Sequence, residues 1–330
     1  MGIHLSNVRS GFARALRFGS PKAFALASAG LLIVVGTGAA PATKAPAAPR
    51  GKAWLEARSV CVFSLGEGRI PQDSNELAVA LNQGWKNAIT LPDPQKAVFI
   101  DGGTYPSVGT LRIDFSEGQL RPAPKKRQKI EVNNKVEKDL FVEHLEVKGQ
   151  PMLLQKSKLN MKLVADGATI DMERDRRGRP VMLLSHAKSG TLNFDVSRAD
   201  AEALLLQNAR EMASPYGVNV EKMQLLIVPE TPRSVQATLY VATKVAFVPA
   251  GMLFQAHVTV DNNMNARISG LTCEGDEALG PLIVHFLRPA LAKYNNSTRP
   301  LVNFPTNGMK LRDVAVRVDD GLHLAAAFGS

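Results

Sequence analysis

Residues 311–330 read LRDVAVRVDDGLHLAAAFGS, two alternating runs around an Asp-Gly pair. Val314, Val316 and Val318 alternate with Asp313, Ala315 and Arg317. Beyond Asp320-Gly321, Leu322, Leu324, Ala326 and Phe328 alternate with His323, Ala325 and Ala327. Period-two patterning across an Asp-Gly turn predicts a β-hairpin with one apolar and one wet face. Apolar surface is unfavourable in water, so another element must cover that face.

The same alternation runs back to residue 139, through LFVEHLEV, KLNMKLVA, ATIDMER, TLNFDVS, KMQLLIV, SVQATLYVATKVAFV, MLFQAHVTV and NARISGLT. In TLNFDVS the apolar set is Leu192, Phe194 and Val196; in MLFQAHVTV it is Met252, Phe254, Ala256, Val258 and Val260. Such segments are half-buried antiparallel strands, not the continuous apolar runs of a doubly wound parallel sheet. Turns are expected at Arg177-Gly178, Pro249-Ala250-Gly251 and Asp261-Asn262-Asn263.

Two helical patterns interrupt the strands. One follows Ser197, an N-cap with Asp200 at the capping-box position, and gathers Ala201, Leu204, Leu205, Ala209 and Met212 on one side. The other runs from about Glu277 to Tyr294 with Leu279, Ile283, Phe286, Leu287, Ala290 and Tyr294 on its apolar side, and Pro289 is expected to bend it. Many amphipathic strands thus share few covering helices. Either the sheet closes on itself or part of its inner face stays open to an apolar ligand.

Upstream, short strands at 54–65 and 97–101 bracket a helix over about Ser74 to Thr90, capped by Asp73 with Glu76 three positions on and carrying Leu77, Leu81, Trp85 and Ile89. TLRIDFS, residues 110–116, gives a further strand, and RPAPKKRQK, residues 121–129, a basic loop. Arg9, Arg14, Arg17 and Lys22 precede a stretch without charge up to Lys44, whose most apolar part is Ala23 to Val35. That is the pattern of an export signal; a cleaved leader and a retained anchor over residues 1–40 both fit. Residues 41–53, rich in Ala, Pro and Lys, read as a flexible linker.

The chain has 330 residues, 45% of them hydrophobic and 21% charged, which are globular values that exclude a disordered chain. The net charge of +10 fits an anionic membrane surface as well as nucleic acid. The most basic hairpin tip, ERDRRGRP at 173–180, carries Arg174, Arg176, Arg177 and Arg179 without one aromatic residue. Nucleic-acid binding, which needs aromatics interleaved with cations, therefore ranks last, and a contact with anionic headgroups is the sharper reading beside a plain solvated turn. Cys61 and Cys273 suit either one disulfide or two separate thiols. No histidine has a second ligand type at metal spacing, and no nucleophile elbow or phosphate loop is present, so neither a metal, a cofactor nor catalysis is expected.

The order of these elements resembles that of a bacterial envelope family that includes the lipomannan-elongation maintenance protein, itself similar to the tubular lipid-binding (TULIP-like) superfamily. The landmarks are Val147-Lys148-Gly149-Gln150-Pro151 read as a turn, the strand SGTLNFDVSRADAEALL entering Ser197 with Asp200 following, and the closing hairpin. The resemblance covers about residues 139–330 and leaves 54–138 as a separately assigned N-terminal β/α portion. It implies an α+β fold, a long curved antiparallel sheet wrapped around one or two amphipathic helices, exported to the cell envelope or periplasm and membrane-associated. An apolar groove would hold lipid acyl chains there without catalysis. Alternation then nominates Leu204, Leu205, Leu225, Ile227, Leu239, Phe254, Val258, Ile283, Phe286 and Phe328 as groove-lining positions. A fully packed envelope scaffold is the competing expectation. A transmembrane β-barrel is disfavoured by the charged strand faces and the two soluble-type helices.

Overall fold

The computed structural model describes residues 55–56, 61–121, 130–132, 134–214, 217–245, 248–261, 265–276, 279–300 and 309–330. The expected leader or anchor, the linker and most of the basic loop lie outside these residues. In chain order the described elements begin with β1 (Leu55–Glu56), β2 (Val62–Ser64), α1 (Ser74–Trp85), β3 (Ile89–Thr90), β4 (Val98–Thr104), β5 (Ser107–Asp114), β6 (Gln119–Leu120) and β7 (Glu131–Val132). The long strands β8 (Lys138–Leu154), β9 (Ser157–Arg174) and β10 (Pro180–Ser197) follow, then α2 (Arg198–Ala213). The remainder is β11 (Val218–Thr231), β12 (Ser234–Val245), β13 (Val248–Val260), β14 (Asn265–Asp276), α3 (Gly280–Tyr294), β15 (Thr298–Pro300), β16 (Lys310–Val318) and β17 (Gly321–Gly329).

The fold is sheet-dominated, as expected, but the strands make two principal sheets rather than one. The first is open and runs β16-β17-β10-β9-β8-β5-β4, with β2 added to β10 and β6 to β8; the second runs β11-β12-β13-β14-β15. The break falls where β10 ends at Ser197. The Ser197 hydroxyl accepts the Asp200 N–H at 3.1 Å and starts α2, and the chain emerges into a new sheet. The first sheet is also not purely antiparallel. β5 and β8 pair in parallel, which the long connection between them allows. Residues 61–121, assigned separately from sequence, thereby share this sheet and a continuous apolar core with the C-terminal hairpin.

The hairpin forms as read, Val318 opposite Leu322, and β17 lies along β10 from Ser197↔Gly321 to Gly190↔Phe328. Its apolar phase faces α2 and the first-sheet core, where Val314, Leu324, Ala326 and Phe328 are buried. Two expected turns are corrected. Pro249-Ala250-Gly251 lies inside β13, opposite Lys244, Thr243 and Ala242; β14 begins pairing only at Gly251, so the missing N–H of Pro249 faces no neighbouring strand. The Val147–Pro151 landmark is a bulge inside β8, where the register against β9 shifts between Gly149 and Met152. The Met152 side chain fills the space a Gly149 Cβ would need. Helix α1 stops at Trp85, short of the expected Thr90, because Ile89 and Thr90 pair with Leu120 and Gln119.

Gly190 shows how tightly the first sheet is packed. A Cβ there would lie 2.4 Å from Cζ of Phe328, whose ring covers the glycine of the adjacent strand. Gly190→Ala is expected to lower unfolding free energy by about 1–3 kcal/mol, through displacement of that ring, as measured by urea denaturation.

Candidate functional site

The second sheet turns one face inward, and the register aligns its apolar residues in rows. Met223, Val241 and Met252 form one row, and Leu225, Leu239, Phe254 and Cys273 the next. Ile227, Ala237 and Ala256 follow, then Pro229, Val235, Val258 and Ile268. Helix α2 packs mainly on β11, with Ala201, Leu204, Leu205 and Ala209 buried; α3 packs mainly on β14, with Ile283, Val284, Leu287 and Leu291 buried. The two helices therefore cover the two sides of the sheet. Between them run β12 and β13.

In that strip Ala237 and Ala256 stand directly opposite each other on the inner face. Both are only half-buried, although Leu239, Phe254, Val235 and Val258 surround them. Two methyl groups thus stand side by side where the neighbouring rows carry Leu and Phe, so this row fills less side-chain volume than its neighbours. The larger residues around the pair are buried: Leu225 and Ile227 are each 7% exposed, Val235 8% and Val258 9%. No charged side chain sits in these rows. The buried hydroxyl of Thr243, near one end, donates to the Ala250 carbonyl at 3.2 Å.

Helix α2 also closes the outer edge of β11. The Leu225 N–H donates to the Glu202 carboxylate at 2.8 Å, and Arg210 Nε donates to the Val220 carbonyl at 2.8 Å. Unpaired edge groups that would otherwise recruit another strand are thus satisfied by side chains.

Compared with family models, curated proteins and solved structures, the chain matches none.

Of the nominated positions, Leu205, Leu225, Ile227, Leu239, Phe254, Val258, Ile283 and Phe328 belong to one continuous apolar core that spans both sheets. Leu204 and Phe328 are each 1% exposed, and the Phe328 ring covers Gly190 of the first sheet. The side chain of Phe286 lies outside the described residues. Alternation could have added Met223, Val241, Met252 and Cys273, which share the period-two phase of their neighbours. Ala256 lies on the apolar phase, but its position opposite Ala237 is set by cross-strand register, which is not local in sequence.

The arginine tip is not a free cationic surface. Arg174 pairs with Glu137 at 3.2 Å, Arg176 with Glu131 at 3.2 Å and Arg179 with Asp175 at 2.6 Å. Arg177 alone of the four lacks a carboxylate among the described residues. Neither Cys61, beside β10, nor Cys273, on β14, is in a disulfide. Burial pushes both up, Cys273 to about 12 with help from Glu274, so neither is a thiolate nucleophile near neutral pH.

Three of the strand histidines meet a carboxylate: His144 with Asp166 at 2.8 Å, His257 with Glu230 at 2.8 Å, and His323 with Asp195 at 2.7 Å. His323 also approaches Asp319 at 2.7 Å through its other nitrogen. This group, with Asp320, has ligand atoms close enough to surround a cation. Two carboxylates at hydrogen-bond distance, one on each ring nitrogen, instead favour the imidazolium, in which both nitrogens are donors and no lone pair is left for a metal. Asp195 is the main cause holding His323 above its ordinary range.

A further titratable cluster escaped the sequence reading. Asp139 lies opposite Asp171 across β8 and β9, and Glu173 follows on the same face of β9. Glu173 is 4% exposed, and its Oε2 has no hydrogen-bond partner. Ser185 donates to Asp171 at 2.5 Å. Burial, then the neighbouring Asp171, raises the Glu173 carboxyl above its usual range; burial is likewise the largest cause raising Asp171. A carboxyl raised in the fold contributes stability below its unfolded-state value and loses it as pH climbs through the folded value. Glu173→Gln, isosteric and neutral, is therefore expected to raise the melting temperature at pH 7. It should also flatten the decline between acidic and neutral pH, as followed by calorimetry across that range.

Proposed function

We propose that the protein is an exported, membrane-associated binder of lipid acyl chains, of the tubular lipid-binding kind, and that the chains lie in the strip over β12 and β13 between α2 and α3. The observation that carries this reading is the half-buried Ala237–Ala256 pair on an otherwise apolar inner face. Hydrocarbon suits such a surface because burial at ~0.8 kcal/mol per CH2 gives affinity without any polar contact. The absence of charged side chains from the rows favours binding over catalysis. The wet face of the first sheet supports an aqueous outer surface: Arg112 and Lys162 flank Glu146 at 3.0 Å each, and Lys148 meets Asp114 at 2.9 Å.

Filling the Ala237–Ala256 row tests the reading. Ala237→Phe and Ala256→Phe are expected to fold with stability changed by less than about 1 kcal/mol, because a ring enters open space. They should weaken uptake of a fluorescent fatty acid by the full chain by about tenfold or more, since displacing even two methylenes costs that much. If the strip is packed against protein, the rings overpack it and stability falls by about 1–3 kcal/mol, with no fatty-acid binding in the parent chain.

A further inference from the structure

Helix α3 has two faces of different chemistry. Ile283, Val284, Leu287 and Leu291 are buried on the second sheet, while Pro281, Leu282, His285, Arg288, Pro289, Ala292 and Lys293 are exposed. At ~100° per residue these exposed positions form one stripe about 140° wide. Arg288 and Lys293 fall on its two margins. Pro281, Leu282, His285, Pro289 and Ala292 lie between them, with Leu282 46% exposed. The helix contains no acidic residue. Arg288 and Lys293 have no carboxylate partner among the described residues, in contrast to the arginine tip, where Glu131, Glu137 and Asp175 neutralise three of four cations.

A stripe of four apolar residues and one histidine, with cations at both edges, complements an anionic bilayer. The apolar centre enters the headgroup boundary, and the long cationic side chains reach out to phosphate. An acidic protein surface would match the charge but leave Leu282 and the two prolines without an apolar phase. We propose that α3 is the surface by which this protein docks on anionic membranes. This inference rests on the acyl-chain reading in one respect: the opposite face of α3 borders the strip, so docking would bring the strip to the bilayer.

The test uses the full chain and vesicles of phosphatidylcholine with about 30% phosphatidylserine. Arg288→Gln with Lys293→Gln is expected to weaken cosedimentation roughly fivefold per cation removed, with an unchanged melting temperature. Because other parts of the chain could also hold it to vesicles, a second variant reads the helix directly. Fluorescence of Leu282→Trp should be quenched by brominated lipid in these vesicles beyond the quenching of the parent chain. Undiminished vesicle binding by the double variant, or no added quenching at Trp, would overturn the docking surface. Lipid extracted from the same preparations keeps the two readings apart. Bound lipid retained alongside undiminished vesicle binding overturns docking alone, whereas a parent chain that neither carries nor takes up lipid overturns the strip.

Discussion

Helix α2 is the contact on which the rest of the molecule depends. It packs on β11 of one sheet and on β9, β10 and β17 of the other, so a single apolar stripe serves two sheet faces. Its start is fixed by Ser197, its side chains Glu202 and Arg210 close the β11 edge, and the carbonyl of Asp320 in the hairpin turn accepts the N–H of Arg198 at 3.2 Å. A second tie joins the sheets, from the Val316 N–H to the Pro232 carbonyl at 2.9 Å. With α2 committed to β11 and the first sheet, and α3 mainly to β14, no helix among the described residues lies mainly along β12 and β13. The proposed acyl-chain strip follows from that arrangement.

Much of this was legible in the chain. Period-two alternation identified the strands and their inward phase, and local chemistry placed the caps at Asp73 and Ser197 and the turn before Gly321. What stayed hidden was non-local. Nothing near β10 announces that β17 pairs on one side of it while the sheet breaks after Ser197, because pairing is decided by the sum of contacts across the sheet. Pro249 and Gly149 were taken for turn residues because both usually punctuate; one sits where a neighbouring strand is missing and the other in a bulge filled by Met152.

Charge followed the same division. The tip at 173–180 is basic in sequence, but Glu131 and Glu137, distant along the chain, return to pair with it. Helix α3 looked like an ordinary covering helix, yet its outward cations have no such partners among the described residues. The grouping of Asp139 and Asp171 with the buried Glu173 likewise arises from cross-strand register, which no spacing in the sequence displays. Local patterns reported faces and phases, and the assembled sheets decided which charges remain available.

The most direct test of the acyl-chain reading is native mass spectrometry, followed by lipid extraction, on the full chain purified without detergent from an exporting cell. The account predicts a stoichiometric acyl-chain lipid on the folded protein. A stable chain that carries no lipid and takes up no fatty acid from vesicles would contradict it, leaving the second sheet as a packed scaffold.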